Sequence, residues 1–156
     1  MRLILAIALV ATLSVPAFAQ EEAHEVTAGS ITIVHPWARA AAAGSDTLVF
    51  MEILNAGEPD TLESARTEIA GVTIVGATMV DGVATYQEVG AVKIASGDFD
   101  LDPTGLGLRL SALTAELRQG EDFELTLHFS QAGDIVMHVE IEAADATQHS
   151  HAGHSH

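Results

Sequence analysis

Apolar and polar residues alternate with a period of two through most of the chain, and almost nowhere with the 3.6-residue period of a helix. TLVFMEIL (Thr47 to Leu54), GVTIVGATM (Gly71 to Met79), GLGLRLSAL (Gly105 to Leu113), FELTLHF (Phe123 to Phe129) and DIVMHVEIEA (from Asp134) are rich in β-branched and apolar residues and predict strands. Turn formers separate them: Asn55-Ala56-Gly57, Asp81-Gly82, Ser96-Gly97-Asp98, Arg118-Gln119-Gly120 and Gln131-Ala132-Gly133-Asp134. Many short strands with no helical segment between them predict an all-β fold, an antiparallel β-sandwich or barrel. Its core is expected to hold Phe50, Ile53, Leu110, Leu125, Leu127, Phe129, Met137 and Val139. Gln20 to Ala28 and everything after Ala144 lack periodicity and read as disordered ends.

The first nineteen residues, MRLILAIALVATLSVPAFA, open on Arg2, run apolar from Leu3 to Val15 and close on Ala17-Phe18-Ala19. That order predicts a secretory signal peptide cleaved before Gln20. The apolar run falls short of the roughly 20 residues a spanning helix needs, so no membrane insertion is expected after cleavage. The expectation is an exported, periplasmic protein. Without Arg2, 22 acidic residues face 5 basic ones, a formal charge of −17. Such a surface repels nucleic acid and anionic lipid and concentrates cations. The chain has no cysteine, so metal chemistry has to use His, Met, carboxylates or backbone groups.

The succession ITIVHPWARA (Ile31 to Ala40), LNAGEPDTLESA (Leu54 to Ala65), VTIVGATMVDGV (Val72 to Val83), LDPTGLGLRL (Leu101 to Leu110) and LRQGEDFELTLHFSQAGDIVMHVEI (Leu117 to Ile141) resembles the PCu(A)C periplasmic copper chaperone family in order and spacing. The resemblance implies a cupredoxin-like antiparallel β-sandwich over residues 30–144, after a signal peptide (1–19) and a flexible segment (20–29). A His-rich disordered tail (145–156) follows it. It also implies copper binding and delivery to an acceptor, such as a respiratory oxidase subunit or assembly factor.

The family's ligands are a His and a later Met, then a His-x-Met pair on a following strand, a soft donor set suited to Cu(I). Carried onto this chain, those positions are Val75, Tyr86, Gly107 and Arg109. None of the four is a normal copper ligand, and Arg109 would bring positive charge to the place of the cation. Met79, the Met near the first motif, reads as a core filler at a strand end.

The histidines are the remaining donors. His35 precedes a proline at the start of the domain and reads as structural. His128 and His138 alternate with apolar neighbours and share the outward face of one hairpin. A turn centred on Gln131 to Gly133 would make them diagonal neighbours, with Glu140 beside them, a surface site for Cu(II) or Zn(II). The tail, QHSHAGHSH, carries His149, His151, His154 and His156 among small residues that leave it free to wrap an ion. Imidazoles in that pattern favour Cu(II), with Zn(II) possible. His24 is isolated. No nucleophile elbow, cysteine or distinct carboxylate pair marks an enzyme. The expected function is a periplasmic copper-binding accessory protein that collects and hands over copper through its tail. The alternative is a metal-free interaction module that kept the sandwich and lost the copper site.

Overall fold

Alternation becomes strands wherever one face can be buried. The computed structural model describes residues 25–150. The expected signal peptide, His24, His151, His154 and His156 lie outside that range. The described strands are β1 (Glu25–Ala28), β2 (Ile31–Arg39), β3 (Thr47–Asn55), β4 (Asp60–Arg66), β5 (Gly71–Val80), β6 (Val83–Glu88), β7 (Val92–Ile94), β8 (Gly97–Leu101), β9 (Leu106–Ser111), β10 (Asp122–Phe129) and β11 (Gly133–Glu142). No helix occurs among the described residues. The five runs read from periodicity appear as β3, β5, β9, β10 and β11, and the β5–β6 turn has positive φ at both Asp81 and Gly82, as a two-residue hairpin requires.

Hydrogen-bonded neighbours follow the order β6-β5-β9-β8-β3-β2-β11-β10-β4-β7, with β1 added to the edge of β2. Ile74 of β5, Leu62 of β4 and Ile94 of β7, from opposite ends of that path, share one buried cluster, so the sheet folds into the two layers of a sandwich. All eight expected core residues are buried. The pairing is not purely antiparallel, because β2 with β11 and β8 with β9 run parallel. β11 meets β2 only after most of the chain has intervened, so no tight hairpin dictates its direction.

Two expected ends are ordered further than the sequence suggests. Glu25–Ala28 pairs with Ile31 to Val34, which supplies the hydrogen bonds that its polar sequence cannot replace by burial. Beyond β11, the segment 143–150 folds back onto the sheet. Arg39 Nε donates to the Ala146 carbonyl at 2.7 Å, and Ser150 donates its amide and hydroxyl to Glu142 Oε1 at 2.9 and 2.7 Å.

β3 is buried on both faces. Val49, Met51 and Ile53 enter the main core, whereas Phe50, fully buried, lies on the outer face. There its ring meets Trp37 at 4.9 Å between centroids, with the Arg39 guanidinium 5.5 Å from the ring centre. Between the pairs Val34–Glu52 and Trp37–Phe50, β2 has two residues, His35 and Pro36, opposite the single Met51. This β-bulge puts His35 at φ 47°, a left-handed conformation that costs roughly 1–2 kcal/mol. A second packing device joins β4 to the β10–β11 turn. Asp60 Oδ1 accepts from Thr61 N, Ser130 Oγ and Gln131 N at 2.7–2.9 Å, and Oδ2 accepts from Ala132 N at 2.9 Å. Burial pushes the Asp60 carboxyl up, but these donors outweigh it and hold the group below its ordinary value.

Candidate metal centre

Successive outward positions on a strand stand on one face, which is how β11 presents Glu140 and Glu142 together. The parallel register sets them level with Trp37 and Arg39 of β2. The returning C-terminal segment then places His149 over both carboxylates. Its Nε2 lies 2.5 Å from Glu140 Oε2 and 3.6 Å from Glu142 Oε1, and one ligand atom from each residue falls within 4.8 Å of the others. His149 is 3% exposed. The His35 ring, swung outward by the bulge, stacks on it with centroids 5.3 Å apart and planes inclined by 22°.

This is a borderline-to-hard donor set, imidazole with two carboxylates and a second imidazole alongside. It suits Cu(II) or Zn(II) and lacks the thioether or thiolate that favours Cu(I). Glu142 Oε1 also accepts the Ser150 amide and hydroxyl, two neutral donors that fix the carboxylate's orientation.

The other predicted ligands are not brought into this group. Register pairs His128 with Asp134 and His138 with Glu124, because the turn centres on Gln131, one residue earlier than expected. The two histidines share a face but stand four positions apart along β10, roughly 13 Å, and are not the diagonal neighbours the sequence suggested. Each has its own carboxylate. His128 Nδ1 is 2.6 Å from Asp134 Oδ1 and its Nε2 3.4 Å from Glu63 Oε2, while His138 Nδ1 is 2.8 Å from Asp122 Oδ1. Hydrogen bonds from Arg66 and from His128 hold the Asp134 carboxyl below its usual range. Glu140, expected beside these histidines, faces His149 instead.

The four positions of the chaperone motif converge on the outer face but hold no metal donor. Val75 pairs with Gly107 and is fully buried. A Cβ on Gly107 would meet Phe50 Cε1 at 2.9 Å, so the ring occupies the space of a ligand side chain. Arg109 donates to the Tyr86 carbonyl at 2.6 Å, and the Tyr86 hydroxyl donates to the Pro103 carbonyl at 2.5 Å. Met79 is half exposed at the β5 end, not the core filler expected of it.

The profile of the LpqE-like family matches residues 31–141, most of the chain. The chain belongs to the LpqE-like family. No curated protein sequence matches it. Among solved structures, this LpqE-like protein is similar to the apo PCuAC domain from PmoF1, with 29% identity and a TM-score of 0.65 over 77% of this chain and 99% of that one. It shares its fold with the copper-bound PCuAC domain from PmoF2, at 24% identity and a TM-score of 0.64 over 77% of this chain and 98% of that one. The same holds for the solution structure of the Cu(I) form of DR1885 from Deinococcus radiodurans, at 22% identity and a TM-score of 0.57 over 85% and 90% of the two chains. The resemblance to PCu(A)C domains and the β-sandwich expected from it are thereby borne out.

The sequence reading took His35 as structural and missed Glu142 and the pairing of His149 with Glu140. Two glutamates spaced i, i+2 on the outward face of the last strand, shortly before a His-rich segment, were the available signal.

Proposed function

We propose that this protein is an exported copper-binding accessory protein that collects Cu(II) at its C-terminal histidines and passes it to an acceptor, such as a respiratory oxidase subunit or assembly factor. The observation that carries the reading is His149, buried against Glu140 and Glu142 on a face whose family ligands are gone. The copper-bound and Cu(I) forms of its structural relatives support copper as the cargo, and the family's naming for a lipoprotein supports export, as does the leader-like pattern of residues 1–19. A cation arriving at the site replaces the hydrogen bond between His149 and Glu140 with bonds to both side chains. His151, His154 and His156 extend the donor supply and give an exchange route to the acceptor. A carrier of this kind transforms no substrate, so the role is not enzymatic. Zn(II) fits the same donors less tightly, by the general affinity order. His128 and His138 act as separate, weaker positions, each on its own carboxylate.

Calorimetric titration of residues 20–156 with Cu(II) tests this. His149→Ala should weaken the tightest site at least about tenfold, since it removes the one imidazole that touches both carboxylates. Changing all four tail histidines to alanine should remove it. Equal affinity and stoichiometry in all three proteins would remove the tail from the mechanism, and no binding in any of them would favour the metal-free interaction module, which the closure of the family positions by Phe50 and Arg109 otherwise supports.

A further inference from the structure

The described basic residues are few, and two of them are placed alike. Arg66 and Arg118 are exposed and ion-paired with Asp134 and with Glu116. Arg39 and Arg109 are half-buried, and among the described residues neither is within ion-pair distance of a carboxylate. Both line one open cavity on the outer face with Asp46, Thr47, Leu48, Tyr86 and Ala144. The register explains the convergence. Leu48 of β3 pairs with Arg109 of β9, and one step past the Ala38–Val49 pair Arg39 of β2 comes level with Leu48 on its other side. Two strand spacings, about 10 Å, separate their backbones, with Leu48 between them.

Two acids stand close by in register or lining, and neither is ion-paired with these arginines. Glu142, level with Arg39, accepts from Ser150 and faces His149, and Asp46, which lines the cavity, accepts the Ala112 amide on Oδ1 at 3.0 Å and is not ion-paired with either arginine. Arg39 spends Nε on Ala146, and Arg109 spends one terminal nitrogen on Tyr86. The Arg39 fork rests over the Phe50 ring, and the remaining N–H groups of two permanently charged forks share a cavity of mixed lining, with Leu48 and the alanines on its apolar side and Thr47 and Asp46 on its polar side. Partial burial of a guanidinium without an ion-paired partner is unfavourable, and a planar carboxylate is the group whose two oxygens match such a fork.

We infer that the Arg39–Arg109 cavity binds a carboxylate on a short aliphatic stem. The carboxylate comes either from a free small acid or from a Glu or Asp side chain of a partner protein. The inference stands independently of the copper reading, because it uses none of the histidines.

The test uses ¹⁵N-labelled residues 20–156 at fixed ionic strength, titrated with succinate and, separately, with the peptide acetyl-Gly-Glu-Gly-amide. Saturable amide shifts centred on Leu48, Tyr86 and Arg109 are expected. Arg109→Gln should weaken binding at least about tenfold, and Arg109→Lys should weaken it by a smaller factor because a point charge replaces the fork. Arg39→Gln gives a second, independent variant, and unfolding curves establish that each is folded. Saturation by succinate with no response to the peptide identifies a free acid as the ligand type. Equal or tighter binding of the peptide identifies a protein side chain. Absence of saturable shifts with both probes overturns the inference, as do shifts that persist unchanged in folded Arg109→Gln and Arg39→Gln.

Discussion

Adding one methyl group at Gly107 should destabilise the protein, although alanine ordinarily suits a strand better than glycine. The new Cβ would stand 2.9 Å from Phe50 Cε1, 3.3 Å from Cδ1 and 3.5 Å from the Val49 carbonyl oxygen. Carbon atoms rest about 3.5–4.0 Å apart, so the ring has to retreat by roughly 0.6 Å or more. Phe50 is fully buried and Trp37 blocks one side of it, which leaves little room for that retreat. Overpacking of this kind costs about 1–3 kcal/mol, and the strand preference of alanine returns roughly 0.5–1 kcal/mol. The expected net loss for Gly107→Ala is therefore about 1–2 kcal/mol. In a Phe50→Leu background the same substitution should be neutral or stabilising, a coupling of about 1–2 kcal/mol between adjacent residues. Urea denaturation of the four proteins of the cycle measures both quantities. A Gly107→Ala protein as stable as the parent, or an equal loss in both backgrounds, would refute the claim that Phe50 fills the family's ligand space.

Asp60→Ala removes one carboxylate that four donors share, and should cost about 2–4 kcal/mol in denaturant titrations. Because the folded carboxyl sits below its ordinary value, the parent's Asp60 contribution should be complete above about pH 4 and fade as pH falls through the lower folded value. The difference between parent and Asp60→Ala should shrink over that acid range, and a constant difference would contradict the assignment. His149→Ala, in the absence of metal, should release residues 145–150 and raise hydrogen exchange at the Ser150 amide at least about tenfold, whereas undiminished protection would show that the segment is held without it.

The central strands were legible because burial leaves a period-two trace in sequence. TLVFMEIL is apolar at nearly every position, which matches a strand covered on both faces, and DIVMHVEIEA alternates because only one face meets the core. β4, β6, β7 and β8 left a fainter trace, since DTLESAR, VATYQE, VKI and GDFDL carry mostly exposed or half-buried side chains. Their pairing comes from neighbours, not from their own composition. The parallel meeting of β2 and β11 joins residues about a hundred positions apart and has no local signature. A one-residue error in the centre of the β10–β11 turn sufficed to bring His128 and His138 too close together. His149 was legible as a donor. Its partners were not, because they depend on a chain reversal after β11 and on a bulge at His35 that periodicity does not report.

The outer face also fixes from which side an acceptor must approach. The positions of the family motif lie on β5, β6 and β9, while the cluster of Glu140, Glu142 and His149 lies over β11, three strand spacings from β9 along the same face. That is roughly 14 Å. An acceptor shaped to draw a metal from above β9 would meet the Arg109 guanidinium and the packed Phe50 ring, with the cargo out of ligand-exchange range. Transfer from the site proposed above would require a partner seated over the β2–β11 seam, where its own ligands could enter as residues 145–150 lift away. On the proposed reading, the chain would keep the sandwich of its relatives and still be unable to substitute for them, because the docking surface would have moved with the ligands.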